Sequence, residues 1–162
     1  MQKLAEIEPG PDHEVDVGID VLKALPFVHQ IGVHCDIKPG NVMKGLGPNG
    51  ESKFFYLIDY GGMAIEPEGH GENAGYHRWT WTSKWTSQKR GEHLTYPVAD
   101  LIELAYTMRT IQAKRRKEKN VDDSRSGFRG RVRKYYEAVA KMDRFPKAED
   151  YVTLTKILKG KK

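Results

Sequence analysis

The sequence holds one cysteine, Cys35, in 162 residues. No intrachain disulfide can form from it, and a zinc site built from several cysteines is excluded. No apolar run approaches the ~20 residues that cross a bilayer as a helix. The opening stretch MQKLAEIEPGPDHEVD is acidic and lacks an apolar central segment, so it does not read as a secretory signal. There is no internal repeat and no low-complexity tract. These absences lead to the expectation of an intracellular protein, in cytoplasm or nucleus, with no membrane partner.

What is there is ordinary for a globular chain. Hydrophobic residues make up 38% and charged residues 30% of the sequence. The length suits one domain, residues 1–162, with one core. The net charge is +5, and positive residues gather in RTIQAKRRKEK (109–119) and RSGFRGRVRK (125–134). Two readings stand for these segments: a surface that meets phosphate, in nucleic acid or an acidic peptide, or a solvated helix end and loop.

The pattern along the chain is mostly helical. Val15, Ile19, Leu22 and Leu25 fall at helical spacing behind Glu14 and Asp16, which suit a helix N-terminus. Pro26 is expected to break or kink this helix, with FVHQIG carrying it on to Gly32. A loop over 33–43 ends in a short strand. GLGPNGES (45–52) is turn chemistry and leads into the apolar strand KFFYLID, which predicts a small hairpin. Residues 61–98, rich in Gly, Trp, Thr and Ser, read as a long ordered loop. Helices are expected over 98–112, 131–142 and 148–160, with DRFPK as the turn between the last two. Trp79, Trp81 and Trp85 in the long loop form either a core cluster or a platform for a peptide.

Two segments carry chemistry. VHCDIKPGNVM sets His34, Asp36, Lys38 and Asn41 in the pattern H-x-D-x-K-x-x-N. A carboxylate such as Asp36 can accept the proton of an attacking hydroxyl, and an ammonium such as Lys38 can neutralise a transferring phosphoryl group. The amide oxygen of Asn41 can ligate magnesium. Asp59 follows an apolar strand, precedes Tyr60-Gly61, and can hold a magnesium ion that bridges nucleotide phosphates. The intervening hairpin would bring the two segments face to face.

With these residues the chain resembles the protein-kinase superfamily, and within it the vaccinia-related kinases, near casein kinase 1. Those kinases read H-G-D-I-K-x-x-N and D-Y-G, and here Cys35 likewise stands where common kinases have Arg. Their buried D-L-E-x-L-G-Y helix is similar to Asp100-Leu101-Ile102-Glu103-Leu104-Ala105-Tyr106, and their K-Y-x-E-x-V segment to RKYYEAVAKMD. The similarity runs from about residue 15 to 160, all of it in the C-terminal lobe. A rival is the group of small-molecule phosphotransferases, which read H-G-D-x-H-P-G-N; Pro39-Gly40-Asn41 looks like theirs, whereas Lys38 and the C-terminal match favour the protein kinases.

The resemblance implies a mainly α fold, a kinase-like C-terminal lobe with a small β-hairpin. It divides the chain into a catalytic loop at 33–43, a magnesium-binding segment at 59–61, an activation or substrate loop at 62–98 and a helical remainder at 99–160. It implies Asp36 as catalytic base, Lys38 as phosphate contact, and Asn41 and Asp59 as magnesium and nucleotide ligands. It makes His34 structural, packed under the magnesium loop, and gives Asp100 the task of tying down the loop backbone.

The upper lobe of such a kinase has no counterpart here. It supplies a Gly-rich loop over the phosphates, a strand lysine on them and a helix glutamate pairing that lysine. GLGPNG (45–50) falls after the catalytic loop and reads as the hairpin turn. The threonine that related kinases carry before the long helix is also missing, its place taken by Gly75-Tyr76 or His77-Arg78. Mg-ATP binding is therefore expected to be weak and the chain inactive alone. The expected partner is another protein or a second copy, docking on the face an upper lobe normally covers, near FFYLI (54–58) and the first helix. Two alternatives stand beside this: a Ser/Thr kinase completed by another chain, and a basic nucleic-acid-associated protein on the same fold.

Overall fold

The computed structural model describes residues 13–50, 53–65, 76–77, 94–117, 127–143 and 145–160. Among these the architecture is mainly helical, with three short antiparallel strand pairs.

Helix α1 spans His13–Val28. Glu14 and Asp16 occupy its first turn, where carboxylates favour the N-terminal dipole. Val17, Val21 and Leu25 are fully buried along one face. Pro26 lies inside the last turn rather than breaking the helix. The helix then ends earlier than its sequence suggests. Residues 29–31 form a turn, and Gly32 belongs to strand β1 (Gly32–Val33).

Strand β2 (Val42–Gly45) pairs with β3 (Phe54–Leu57) in the register Val42↔Leu57 to Gly45↔Phe54. The turn between them uses Gly50 at φ +82°, a left-handed conformation that suits a residue without Cβ. Strand β4 (Ala64–Ile65) returns to β1, with Gly32 opposite Ile65. Strands β5 (Tyr76–His77) and β6 (Leu94–Thr95) pair with each other. The region expected as one long loop thus contains three short strands. The three tryptophans lie outside the described residues.

Helix α2 (Pro97–Arg115) starts with proline at its first position, where no N–H is needed, and ends with Lys114 and Arg115 at the negative end of the dipole. It is the central helix: Leu101, Leu104, Ala105 and Met108 have no exposure, and α1 and α3 (Gly130–Val139) both pack on it. Helix α4 (Ala148–Lys159) packs on α1 and α3. It opens with Asp150 accepting from the Lys147 N–H at 2.7 Å and ends on Gly160 at φ +68°.

Two polar contacts set the direction of α1 against α2. Glu14, at the start of α1, meets Arg115, at the end of α2, at 2.6 Å. His29, just past the end of α1, meets Asp100, near the start of α2, at 2.9 Å. The two helices are therefore antiparallel. Among the described residues no helix is long and apolar enough to cross a membrane.

Candidate functional site

The motif loop runs between β1 and β2 across the buried start of α2. Three polar side chains of that helix, Asp100, Glu103 and Thr107, grip its backbone. Asp100 Oδ2 accepts the His34 N–H at 2.7 Å and Oδ1 accepts the Cys35 N–H at 2.9 Å. Glu103 Oε2 accepts the Ile37 N–H at 2.9 Å, and the Thr107 hydroxyl donates to the Ile37 carbonyl at 3.0 Å. Positions 100, 103 and 107 lie on one helix face. Asp100 is fully buried and Glu103 is 3% exposed. Charges so placed are costly unless hydrogen-bonded, and each carboxylate receives main-chain donors.

On the outer side of the loop, Asp36 is the hub. Lys38 Nζ donates to its Oδ2 at 2.7 Å. Asn41 Nδ2 donates to the same oxygen at 3.0 Å and to the Asp36 carbonyl at 2.9 Å. The amide hydrogens of Asn41 are committed to Asp36, which fixes the flip of the side chain and leaves Oδ1 as its ligating atom. The Asp36 side chain keeps 33% of its exposure and that of Lys38 keeps 55%, so the pair faces solvent.

His34 joins the two motif segments. Its Nδ1 accepts the Asp36 N–H at 3.3 Å, so the neutral ring carries its proton on Nε2 and donates it to the Ile58 carbonyl at 3.1 Å. Its ring meets Tyr60 edge-on, with centroids 4.9 Å apart. Partial burial raises the Tyr60 phenol above its ordinary pKa. The Ile58 N–H donates to the Asn41 carbonyl at 2.9 Å, one step beyond the Val42↔Leu57 pair. Asn41 and Asp59 therefore emerge at the same end of the hairpin. Asp59 is exposed.

Cys35 and Asp59 have φ +69° and +63°, a conformation uncommon for residues other than glycine. One such residue lies in each motif segment. Strain of this kind persists where the surroundings over-determine it, and it concentrates at functional sites. At Cys35 the surroundings are evident: the side chain is buried, Sγ contacts the Val33 carbonyl at 3.3 Å and the N–H is bound by Asp100.

By chemistry rather than by geometry, two of these donors are of the kind that magnesium accepts. Asn41 Oδ1 and the Asp59 carboxylate are hard oxygen ligands, and magnesium takes one or two such groups from protein, completing its shell with phosphate and water. Among the described residues no three His, Cys, Asp or Glu side chains converge on a metal position.

Four residues of the network were not singled out by sequence reasoning: Glu103, Thr107, His29 and Tyr151. The first two had a signal, since they are polar residues on the face of Asp100 in the largely apolar stretch 97–108 of the helix. His29 and Tyr151 had none.

The basic segments are partly structural. Arg109 is 4% exposed and lies 5.6 Å from the Phe128 ring centroid. Arg115 pairs with buried Glu14, Arg131 donates to the Leu158 carbonyl at 3.0 Å, and Arg133 pairs with Glu137. The apolar surface lies on only part of the expected face, at the end of the first helix rather than on strand β3. Phe55 and Leu57 are buried, whereas Phe27, Ile31 and Ile65 are each more than half exposed. Strand β3 is a core strand because α1 covers it.

No protein-family model matches the chain, and no curated protein matches it significantly.

Proposed function

We propose that the chain is a protein-kinase-like C-terminal lobe that carries the lower half of a phosphoryl-transfer site and works in concert with another protein. The observation that carries this reading is the Asp36 carboxylate, held by Lys38 and Asn41 in a loop whose backbone is bound to Asp100, Glu103 and Thr107. Phosphoryl transfer depends on positioning and electrostatics more than on covalent chemistry. Asp36 would accept the proton of the attacking hydroxyl. Lys38, 2.7 Å from that carboxylate, would swing to the transferred phosphoryl oxygens. Asn41 Oδ1 and Asp59 would hold magnesium, which neutralises phosphate charge when bound. His34 would keep the two segments in register.

These 162 residues include no Gly-rich phosphate cover and no strand lysine with its glutamate partner. The preorganised Asp36 favours a second reading within the same proposal: an active Ser/Thr kinase when those elements are supplied from outside this stretch.

Calorimetry with Mg-ATP on the 162-residue chain tests the first part. Binding is expected at about millimolar or weaker, no more favourable than about −4 kcal/mol. Micromolar binding would overturn the missing cover. A transfer assay with an added kinase upper lobe tests the second. Activity that persists in Asp36→Asn would overturn the role of Asp36.

A further inference from the structure

Tyr151 lies in the first turn of α4 and is 7% exposed. Its hydroxyl meets His29 Nδ1 at 2.5 Å, across 122 positions of sequence. Nε2 of the same ring lies 2.9 Å from Asp100 Oδ2, the oxygen that also accepts the His34 N–H. The His29 and Asp100 side chains are 6% and 0% exposed.

The direction of each bond follows from the chemistry. A carboxylate only accepts, so His29 Nε2 donates to Asp100. In the neutral ring Nδ1 is then the acceptor, and the Tyr151 hydroxyl donates to it. Burial, with Asp100 and Asp150 nearby, pushes the Tyr151 phenol well above its ordinary pKa and keeps this donor protonated. The result is a continuous polar chain from α4 through His29 and Asp100 to the N–H groups of residues 34 and 35. Buried chains of this kind polarise one another, and their members act together.

We propose that Tyr151 is a positioning residue for the motif loop: its hydroxyl, through His29, fixes the Asp100 carboxylate that orients the backbone of His34 and Cys35. Helix α4, or a partner that shifts it, then controls the loop that carries Asp36. The functional meaning rests on the phosphoryl-transfer reading of that loop, whereas the coupling itself does not.

The test uses the isotope-labelled chain and amide hydrogen exchange read by NMR. Tyr151→Phe removes only the hydroxyl. The control is Tyr135→Phe, which removes a fully buried hydroxyl that donates to the Leu101 carbonyl on the same central helix. Tyr151→Phe is expected to speed exchange at His34 and Cys35 about tenfold relative to Leu104, the effect of one lost hydrogen bond, while Tyr135→Phe leaves that ratio unchanged. His29→Gln should reproduce the effect, and the double variant should add little to it. Equal acceleration at all amides, or additive effects, would overturn the proposal and leave Tyr151 as packing. The amide of Asp59 in a magnesium titration separates the two ideas. Exchange coupling without a magnesium response supports the relay and counts against the phosphoryl-transfer reading. A magnesium response without exchange coupling does the reverse.

Discussion

Asn41 donates to both the carboxylate and the main-chain carbonyl of Asp36, at 3.0 and 2.9 Å. A single amide thus sets the rotamer of the candidate base and the turn that presents it. Asn41→Ala should destabilise the chain by about 1–2 kcal/mol in urea denaturation. Asn41→Asp should be worse, because two carboxylates within hydrogen-bond distance cannot both ionise cheaply.

Gly32 leaves no room for a side chain. A Cβ there would stand 2.1 Å from the Ala64 carbonyl oxygen and 3.0 Å from the Ile65 Cα, both backbone atoms. Gly32→Ala should push β4 off β1 and cost about 1–3 kcal/mol. The change should show in the thermal midpoint and in faster exchange of the β1 and β4 amides.

Glu14 is 2% exposed and its Oε1 is paired with Arg115. Arg115→Met would leave a buried carboxylate without its cation, at a cost of about 3 kcal/mol. The double variant Glu14→Met with Arg115→Met should recover most of the loss, since an apolar pair of similar volume avoids the desolvation. Urea midpoints of the three variants check this, and a double variant no better than the single one would count against it.

Two buried phenols predict alkaline sensitivity. Tyr135 and Tyr151 both have pKa values raised above 10.0, mainly by burial. Below the ordinary phenol value both states are protonated and their contribution to stability is fully present. As pH rises past about 10 the unfolded chain releases these protons while the native state holds them, so stability falls. The Tyr135→Phe, Tyr151→Phe double variant should lose stability less steeply above that pH, as read from urea midpoints.

Arg115 and Arg131 are committed within the fold, which removes two cations from any phosphate-binding surface. Binding to duplex DNA or RNA at about 50 mM salt is expected to be absent. Affinity that falls steeply with salt in a titration series would reverse that expectation, because it reports counterion release by lysines and arginines.

What the sequence determined by itself is local. The hairpin is written in GLGPNGES and the strand after it, because Gly, Pro and Asn fix turn dihedrals with neighbours only. Helix α2 is written in its apolar length and in Pro97. The spacing of Asp36, Lys38 and Asn41 set them within reach of one another inside a few residues of loop. The tertiary structure decided the rest. Gly32 became a strand position because Ala64 and Ile65 return beside it, which no helical periodicity could disclose. Phe55 and Leu57 became core because α1 lies over β3. Glu103 and Thr107 became clamps on Ile37, and Tyr151 reached His29, through contacts spanning 66, 70 and 122 positions. A buried polar group needs a partner, but its sequence does not say which one. Only packing brings the donor to the acceptor.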